Sequence, residues 1–246
     1  MKKIFIVVLY CFFLCSICFA DVEVWQDPSL KFSELKKIFI MPINSELNAG
    51  NQLMPQKQLN ANLIAWAADG IGSSMGRGKI TIKGRDALIE DMKFIYGNKI
   101  PEGQEFFKAA LEMGYSAFVT ADLSQKFVTE HVPEQIRTYT EYKEIQKRDA
   151  KGNIIETLRI PEEKTEITPA HDVTYLSTNF SPKLFLTNDP EGDYVAAANG
   201  AIYREYQGGP VMKVVENLVK ASTKSLFAHE EEKTTTKTKS KSRSRK

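Results

Sequence analysis

The apolar residues of the chain follow helical spacing in four segments and strand-like patterns between them. Residues three to four positions apart share one face of a helix, whereas alternate residues share one face of a strand. The helical segments predicted from this spacing are 55–70, 86–95, 101–113 and 210–228. The predicted strands are 37–43, 79–83, 117–123, 173–187 and 194–206. We expect the glycines at positions 70, 72, 76 and 78 to end the first helix.

A segment with a different character occupies residues 135–167, which hold few large apolar side chains and many Thr, Glu, Lys and Arg. Ile136 and Tyr142 alternate there with polar neighbours, and residues 149–153 carry a turn signal. This pattern predicts a long two-stranded hairpin that is solvated on both faces. Because a two-stranded ribbon is marginally stable by itself, we expect it to grow out of a larger sheet.

The order of these elements indicates an α+β protein. We expect a mixed, largely antiparallel sheet with helices mainly on one face, a projecting two-stranded hairpin arm and a disordered C-terminal tail. Residues 21–228 would form a single α+β domain, with the arm at about 135–167. Residues 229–246 have no substantial apolar surface to bury, so folding could not offset their loss of conformational entropy.

The N-terminal segment 1–20 is typical of a signal peptide. Lys2 and Lys3 precede an uncharged apolar run, and Ala20 supplies a small residue before Asp21. Cleavage between Ala20 and Asp21 would give a periplasmic or secreted protein with no transmembrane span. An uncleaved membrane anchor is the alternative interpretation. The three cysteines of the chain all lie in this segment, so the mature protein would have no disulfide or thiol chemistry.

Charge is segregated along the chain. Residues 233–246 contain five Lys, two Arg and no acidic residue, whereas residues 21–232 carry a net negative charge. A basic run of this kind binds anionic polymers by releasing counterions, without reading a nucleotide sequence. The candidate contacts to an anionic envelope polymer are Lys237, Lys239, Lys241, Arg243 and Arg245.

The sequence contains no motif that predicts catalysis, a cofactor or a metal. The glycine cluster at 70–78 lacks the spacing of a phosphate loop or a dinucleotide-binding turn. The histidines His131, His171 and His229 are far apart, and none lies in a zinc-binding pattern. His171 and Asp172 could form a base and its orienter, but neighbours on a strand point to opposite faces.

The hairpin provides the best candidate for a protein-interaction surface, because Arg and Tyr are enriched at interfaces. The candidate residues are Arg137, Tyr139, Tyr142, Lys147 and Arg148. The alternative is a solvated insertion with no partner.

The chain resembles, in the order of its elements, a group of bacterial envelope proteins that includes the curli-secretion lipoprotein and the penicillin-binding-protein activator lipoproteins. Three segments carry the resemblance: the strand and loop of 32–42, the helix end and strand of 114–119, and the paired strands around 188–192 followed by the helix at Pro210. The resemblance implies a small module that binds partners and performs no chemistry. Unlike that group, the chain has no lipid-attachment cysteine in a suitable context.

These observations favour a non-enzymatic cell-envelope adaptor that binds an envelope protein. Two alternatives stay open. One is an envelope hydrolase whose site uses His171 or Asp172, and the other is a polyanion-binding protein that acts through its tail.

Overall fold

The computed structural model describes residues 21–47, 54–76, 78–97 and 99–228. The predicted signal peptide and the predicted disordered tail lie outside the described residues. The described residues form two compact units, one containing those up to Phe127 together with those from Leu176 onward, and the other spanning Val128–Tyr175.

The described residues form nine strands and four α-helices, and the α+β class is confirmed. The helices are α1 (Gln56–Met75), α2 (Arg85–Tyr96), α3 (Gly103–Glu112) and α4 (Val211–Leu226), with a short 3-10 turn at Phe32–Glu34. The strands are β1 (Asp21–Gln26), β2 (Lys37–Ile40), β3 (Asn44–Leu47), β4 (Thr81–Gly84), β5 (Ala117–Val132), β6 (Gln135–Arg148), β7 (Ile154–Thr168), β8 (His171–Leu186) and β9 (Ala196–Glu205).

The main sheet is mixed, as the sequence predicts. Its strand order is β1-β9-β8-β5-β2-β4, and β3 also pairs with β5. β1 runs antiparallel to β9, whereas β2 is parallel to both β4 and β5 and β3 is parallel to β5. The parallel half exists because α1, α2 and α3 return the chain to the same edge before the next strand begins.

The two faces of the sheet are covered by different helices, because successive residues of a strand point to opposite faces. Ile38 and Ile40 on β2 are fully buried in the core that holds α1 and α4. Phe39, between them, packs with Phe106 of α3 and Met92 of α2 on the opposite face. The two longer helices therefore share one face and the two shorter helices cover the other, which differs from the expectation that the helices lie mainly on one face.

The first helix extends past its predicted end. Gly70 and Gly72 are buried inside α1, and the chain leaves the helix at Gly76, where φ is +88°. The prediction that Gly70 and Gly72 stop the helix was wrong, because a glycine inside a helix also allows close approach to a neighbouring element. A Cβ atom on Gly70 would lie 2.6 Å from the carbonyl oxygen of Lys220 on α4.

Several element boundaries differ from the predicted ones. β3 was not predicted as a strand, and it forms because β5 continues beyond its predicted end and gives β3 a pairing partner. β1 was not predicted as a strand either. It lies at the edge of the sheet, where Trp25 is opposite Ala197 of β9.

The second unit contains the predicted hairpin as a separate two-stranded antiparallel sheet of β6 and β7. Its register runs from Gln135 opposite Thr168 to Arg148 opposite Ile154, with an irregularity near Lys147. Pro133 lies between β5 and β6, and Pro169 lies between β7 and β8. Because proline donates no backbone hydrogen bond, these residues explain why the ladder is interrupted between this ribbon and the strands that precede and follow it.

Candidate interaction surface

Strand β6 is exposed along its whole length, and β7 is exposed at every residue except the half-buried Leu158. Large apolar side chains nevertheless recur on both strands, with Ile136 64% and Ile155 65% exposed. The exposed large apolar and aromatic residues of the ribbon are Ile136, Tyr139, Tyr142, Ile145, Ile154, Ile155, Ile160 and Ile167. A ribbon that contacts only solvent would be expected to expose fewer large apolar side chains than this one does.

All five candidate interaction residues lie on β6, but they do not share one face. By strand alternation, Arg137, Tyr139 and Lys147 point to one side, which we call the Tyr139 face. Tyr142 and Arg148 point to the other side, the Tyr142 face. Each face therefore combines one tyrosine with at least one basic side chain.

The candidate residues selected from the sequence were arginines, tyrosines and Lys147, and they did not include the isoleucines of the ribbon. The register places Ile136 directly opposite Ile167 on the Tyr142 face. Ile145 and Ile160 lie on the Tyr139 face, where Ile160 is opposite Lys143. The signal that could have identified them was the recurrence of isoleucine at strand spacing in a segment otherwise free of core-forming residues.

Cross-strand ion pairs hold the ribbon together. Lys147 Nζ lies 2.9 Å from Glu156 Oε2, and Arg159 Nη2 lies 2.8 Å from Glu144 Oε1. Lys164 pairs with Glu141, and this hydrogen bond is the main cause of the raised pKa of Lys164. Exposed pairs of this kind each contribute only modestly to stability, because the solvent screens them.

The turn that connects the two strands is organised by Asp149. Its Oδ1 accepts hydrogen bonds from the backbone N–H of Lys151 and of Asn153, both at 2.8 Å. These bonds, with the one from Asn153 largest, hold the pKa of Asp149 below its usual value. Gly152 adopts φ +86°, a conformation that favours glycine over other residues.

The structure does not join His171 to Asp172. Asp172 Oδ1 lies 2.8 Å from Nδ1 of His131, and His171 Nδ1 lies 3.0 Å from the carbonyl oxygen of Pro169. The His131 and Asp172 side chains are 68% and 67% exposed. An exposed pair lacks the water-excluding surroundings in which such a pair activates a nucleophile.

In the part of the chain that the structure describes, no cluster of three or more His, Cys, Asp or Glu is arranged to hold a metal ion. A cavity of about 580 Å³ is lined by residues that include Ser45, Glu46, Leu59 and Met212. A single carboxylate and a serine hydroxyl, without a neighbouring base among these lining residues, do not form a catalytic set. None of the described helices is long and apolar enough to cross a membrane.

The remaining candidate residues belong to the chain termini. Asp21 is the first residue of β1 and lies opposite Ala201 of β9. Ala20 lies outside the described residues. The candidate tail contacts also lie outside them, namely Lys237, Lys239, Lys241, Arg243 and Arg245. Their proposed roles stay predictions.

A second exposed aromatic group lies on the main sheet. The rings of Trp25 and Tyr194 meet edge to face, with centroids 5.4 Å apart. Lys183 Nζ lies 5.6 Å from the centroid of Tyr194. Trp25 is 52% exposed, so this group adds an aromatic surface beside the edge strand β1 that the sequence pattern did not reveal.

Comparison with known proteins gives matches only among solved structures. No family model matches the sequence, and no curated protein matches it either. A PelC dodecamer from Paraburkholderia phytofirmans is 10% identical, with 86% of this chain and 100% of that chain covered and a TM-score of 0.40. Lipoprotein GNA1162 from Neisseria meningitidis is 9% identical over 73% of this chain and 90% of its own, with a TM-score of 0.33.

A neuraminyllactose-binding hemagglutinin homolog from Helicobacter pylori is also similar, at 12% identity, 77% and 78% coverage and a TM-score of 0.33. All three are bacterial proteins, and one of them is a lipoprotein by its own description. The more specific resemblance to the curli-secretion group stays a prediction.

Proposed function

We propose that this protein is an exported, non-enzymatic adaptor of the cell envelope, and that the β6–β7 hairpin is its protein-binding surface. One observation carries the proposal: β6 is exposed at every residue although it bears Ile136, Tyr139, Tyr142 and Ile145. A two-stranded ribbon needs additional packing to become stable, and a partner would supply that packing.

The chemistry of the ribbon suits a protein partner. Burial of apolar surface contributes roughly 25 cal/mol per Å². Burying several half-exposed isoleucines and tyrosines against a partner would therefore contribute substantially to the free energy of binding. Tyr and Arg add directional contacts and are enriched at protein interfaces. Among the described residues, no other strand pairs with the outer edges of the ribbon. These edges therefore offer a further mode of binding, by addition of a strand.

The hydrolase alternative receives less support from the same geometry. Asp172 is engaged by His131 instead of His171, and both members of the pair are exposed to solvent. Catalysis of acyl transfer depends on a nucleophile and oxyanion donors beside the base in a preorganised site. The adaptor proposal accounts for the exposed apolar residues, which the hydrolase proposal leaves unexplained.

Site-specific photocrosslinking in the native cell tests the adaptor proposal. A photoreactive phenylalanine derivative replaces Tyr142 in the full chain, expressed with its own leader. The matched control carries the same derivative at Phe94, an aromatic residue that is 91% exposed on α2, outside the hairpin. We expect discrete protein adducts from position 142 and none of the same size from position 94.

Either of two results would overturn the proposal. In the first, positions 142 and 94 give the same adducts. In the second, position 142 gives no adduct although the protein accumulates to normal levels. Cell fractionation of the same strains tests the export component, because the adducts are expected in the envelope or secreted fraction.

A further inference from the structure

We infer that the partner of the hairpin is a second copy of this chain, and that β6 of one protomer pairs antiparallel with β6 of the other about a two-fold axis at Tyr139. This inference rests on the proposed function, since it identifies the protein that the ribbon binds. The pairing would convert two ribbons into one four-stranded sheet, which is a more stable unit than either ribbon alone.

The two outer edges of the ribbon differ in their ability to accept another strand. Among the described residues, β6 and β7 pair only with each other in their sheet, so both outer edges are unpaired. β7 carries Pro161 near its middle, and proline cannot donate a ladder hydrogen bond. β6 contains no proline from Gln135 to Arg148. The uninterrupted edge is therefore that of β6.

The charges of β6 select one register for this pairing. In an antiparallel pair, directly opposite residues lie on the same face, so a two-fold register is centred on one residue that faces its own copy. Registers centred on residues 139 to 144 pair the longest stretches of β6. Centres 141, 143 and 144 set Glu141, Lys143 and Glu144, respectively, against their own copies.

The registers centred on residues 140 and 142 also place like charges opposite each other. Centre 140 sets Arg137 against Lys143, and centre 142 sets Arg137 against Lys147. Like charges directly opposite each other destabilise a sheet. Among these six registers, only the one centred on Tyr139 contains no such pair within β6. It also places Arg137 opposite Glu141 of the second copy twice, once on each side of the axis.

The two charged residues of this register can each accept a further partner beside their contacts inside the ribbon. Arg137 lies opposite Glu166 of β7, but its side chain makes no hydrogen bond or ion pair with any residue that the structure describes. Glu141 lies directly opposite Glu162, and Lys164 pairs with Glu141 from a neighbouring position. A guanidinium from the second copy would give Glu141 an additional cation and give Arg137 a carboxylate partner.

The uncharged positions are compatible with the same register. Ile136 would lie opposite Tyr142 of the second copy, and Thr138 would lie opposite Thr140. Aromatic and β-branched residues form favourable cross-strand pairs, as do threonines that hydrogen bond to each other. The same surface is presented by both protomers, as a closed two-fold dimer requires.

Cysteine crosslinking tests the register. The experiment uses the full chain with Cys11, Cys15 and Cys18 changed to alanine, so that one introduced thiol is the only one present. Tyr139→Cys would face its own copy across the axis, within reach of a disulfide on mild oxidation. The control Ile145→Cys lies on the same face and strand, but its two copies would be about 40 Å apart at roughly 3.4 Å per residue.

Charge exchange tests the pairing chemistry by an independent measurement. Analytical ultracentrifugation of the full chain should show a dimer whose dissociation constant rises about tenfold in Glu141→Arg, because the change acts twice at a two-fold interface. The double variant Arg137→Glu, Glu141→Arg restores opposite charges across the axis and should recover dimerisation. Circular dichroism of each variant checks that the strands are retained.

The outcomes separate this inference from the adaptor proposal. Crosslinking at 139 but not at 145, together with rescue by charge exchange, supports self-pairing. A monomer, or equal crosslinking at both positions, overturns self-pairing. If Tyr142 still forms adducts with another protein in that case, the adaptor proposal stands. If those adducts are also absent, both proposals fail.

Discussion

Gly70 on α1 lies directly against Thr223 on α4, so close that a Cβ atom on Gly70 would overlap the threonine hydroxyl oxygen. The same Cβ atom would lie 2.6 Å from the carbonyl oxygen of Lys220, which belongs to the helix backbone and cannot rotate away. The close contact between the two long helices therefore depends on the absence of a side chain at position 70.

Gly70→Ala should consequently destabilise the first unit, although alanine favours helices by up to about 1 kcal/mol over glycine. Overpacking costs about 1–3 kcal/mol, so we expect a net loss of about 1–2 kcal/mol in the free energy of unfolding. Urea denaturation followed by circular dichroism measures it. Ala65→Ser, at an exposed position of the same helix, is the control and should change stability by less than about 0.5 kcal/mol. Equal stability of Gly70→Ala and the native chain would show that the helices separate without cost.

Two adjacent buried hydroxyls on α4 should respond differently to removal. Ser222 Oγ has no hydrogen-bond partner among the described residues, whereas Thr223 Oγ1 donates to the carbonyl oxygen of Val219 at 2.7 Å. Ser222→Ala should leave the free energy of unfolding unchanged or raise it by up to about 1 kcal/mol, because an unpaired polar group is removed. Thr223→Ala should lower it by about 1 kcal/mol, since a hydrogen bond and a methyl group are lost. The reverse order in chemical denaturation would contradict this assignment.

The hairpin turn should loosen in acid through Asp149. Its folded-state pKa lies below the ordinary value of 3.8, so its stabilising contribution is present above that value and is lost as the pH falls through the folded pKa. NMR amide shifts of Lys151 and Asn153, followed from neutral to acid pH, should report this loss. Asp149→Asn retains an acceptor oxygen and should remove the pH dependence, whereas Asp149→Ala should loosen the turn at every pH. A native chain whose Lys151 and Asn153 shifts do not titrate would argue against the role of Asp149.

The mature protein should begin at Asp21. Cleavage after Ala20 would leave β1 whole, because Asp21 is its first residue and pairs with Ala201. Intact mass and N-terminal sequencing of protein from the envelope or secreted fraction measure this directly. Ala20→Arg should block cleavage, because the site requires a small residue before the cut. An unprocessed chain beginning at Met1 in the cytosol would remove the basis for the envelope proposal.

The basic tail should bind anionic polymers by charge alone. Heparin serves as the probe, and its affinity for the full chain should fall steeply between low and physiological salt as counterions are released. A chain that ends at residue 232 should lose this binding. A variant with Lys237, Lys239 and Lys241 changed to glutamine should show a shallower salt dependence. Binding that is unaffected by either change would exclude the tail as the polyanion site.

Local patterns were sufficient for the elements that rest on short-range physics. The hairpin is a clear example, since alternation over 135–167 and the turn at 149–153 predicted the strands that the structure contains. Ile38, Phe39 and Ile40 were recognised as one buried strand, but their apolar run could not show that Phe39 faces different helices from its neighbours.

Positions that depend on distant partners were not predictable in this way. Gly70 was expected to end a helix because the contact that requires it, Thr223, lies far away in the sequence. The sequence offered only the neighbour His171 as a partner for Asp172, and strand alternation argued against that pair, whereas the structure places Asp172 beside His131 of β5.

The sequence by itself determined the hydrophobic segments, the turn residues, the hairpin and the separation of charge along the chain, because each depends on residues that are close in sequence. Only the tertiary structure decided the strand order, the two covered faces of the sheet, and the partners of Gly70 and Asp172. The reason is physical: burial and side-chain pairing depend on what the rest of the chain brings alongside, and that is set by packing over long sequence separations.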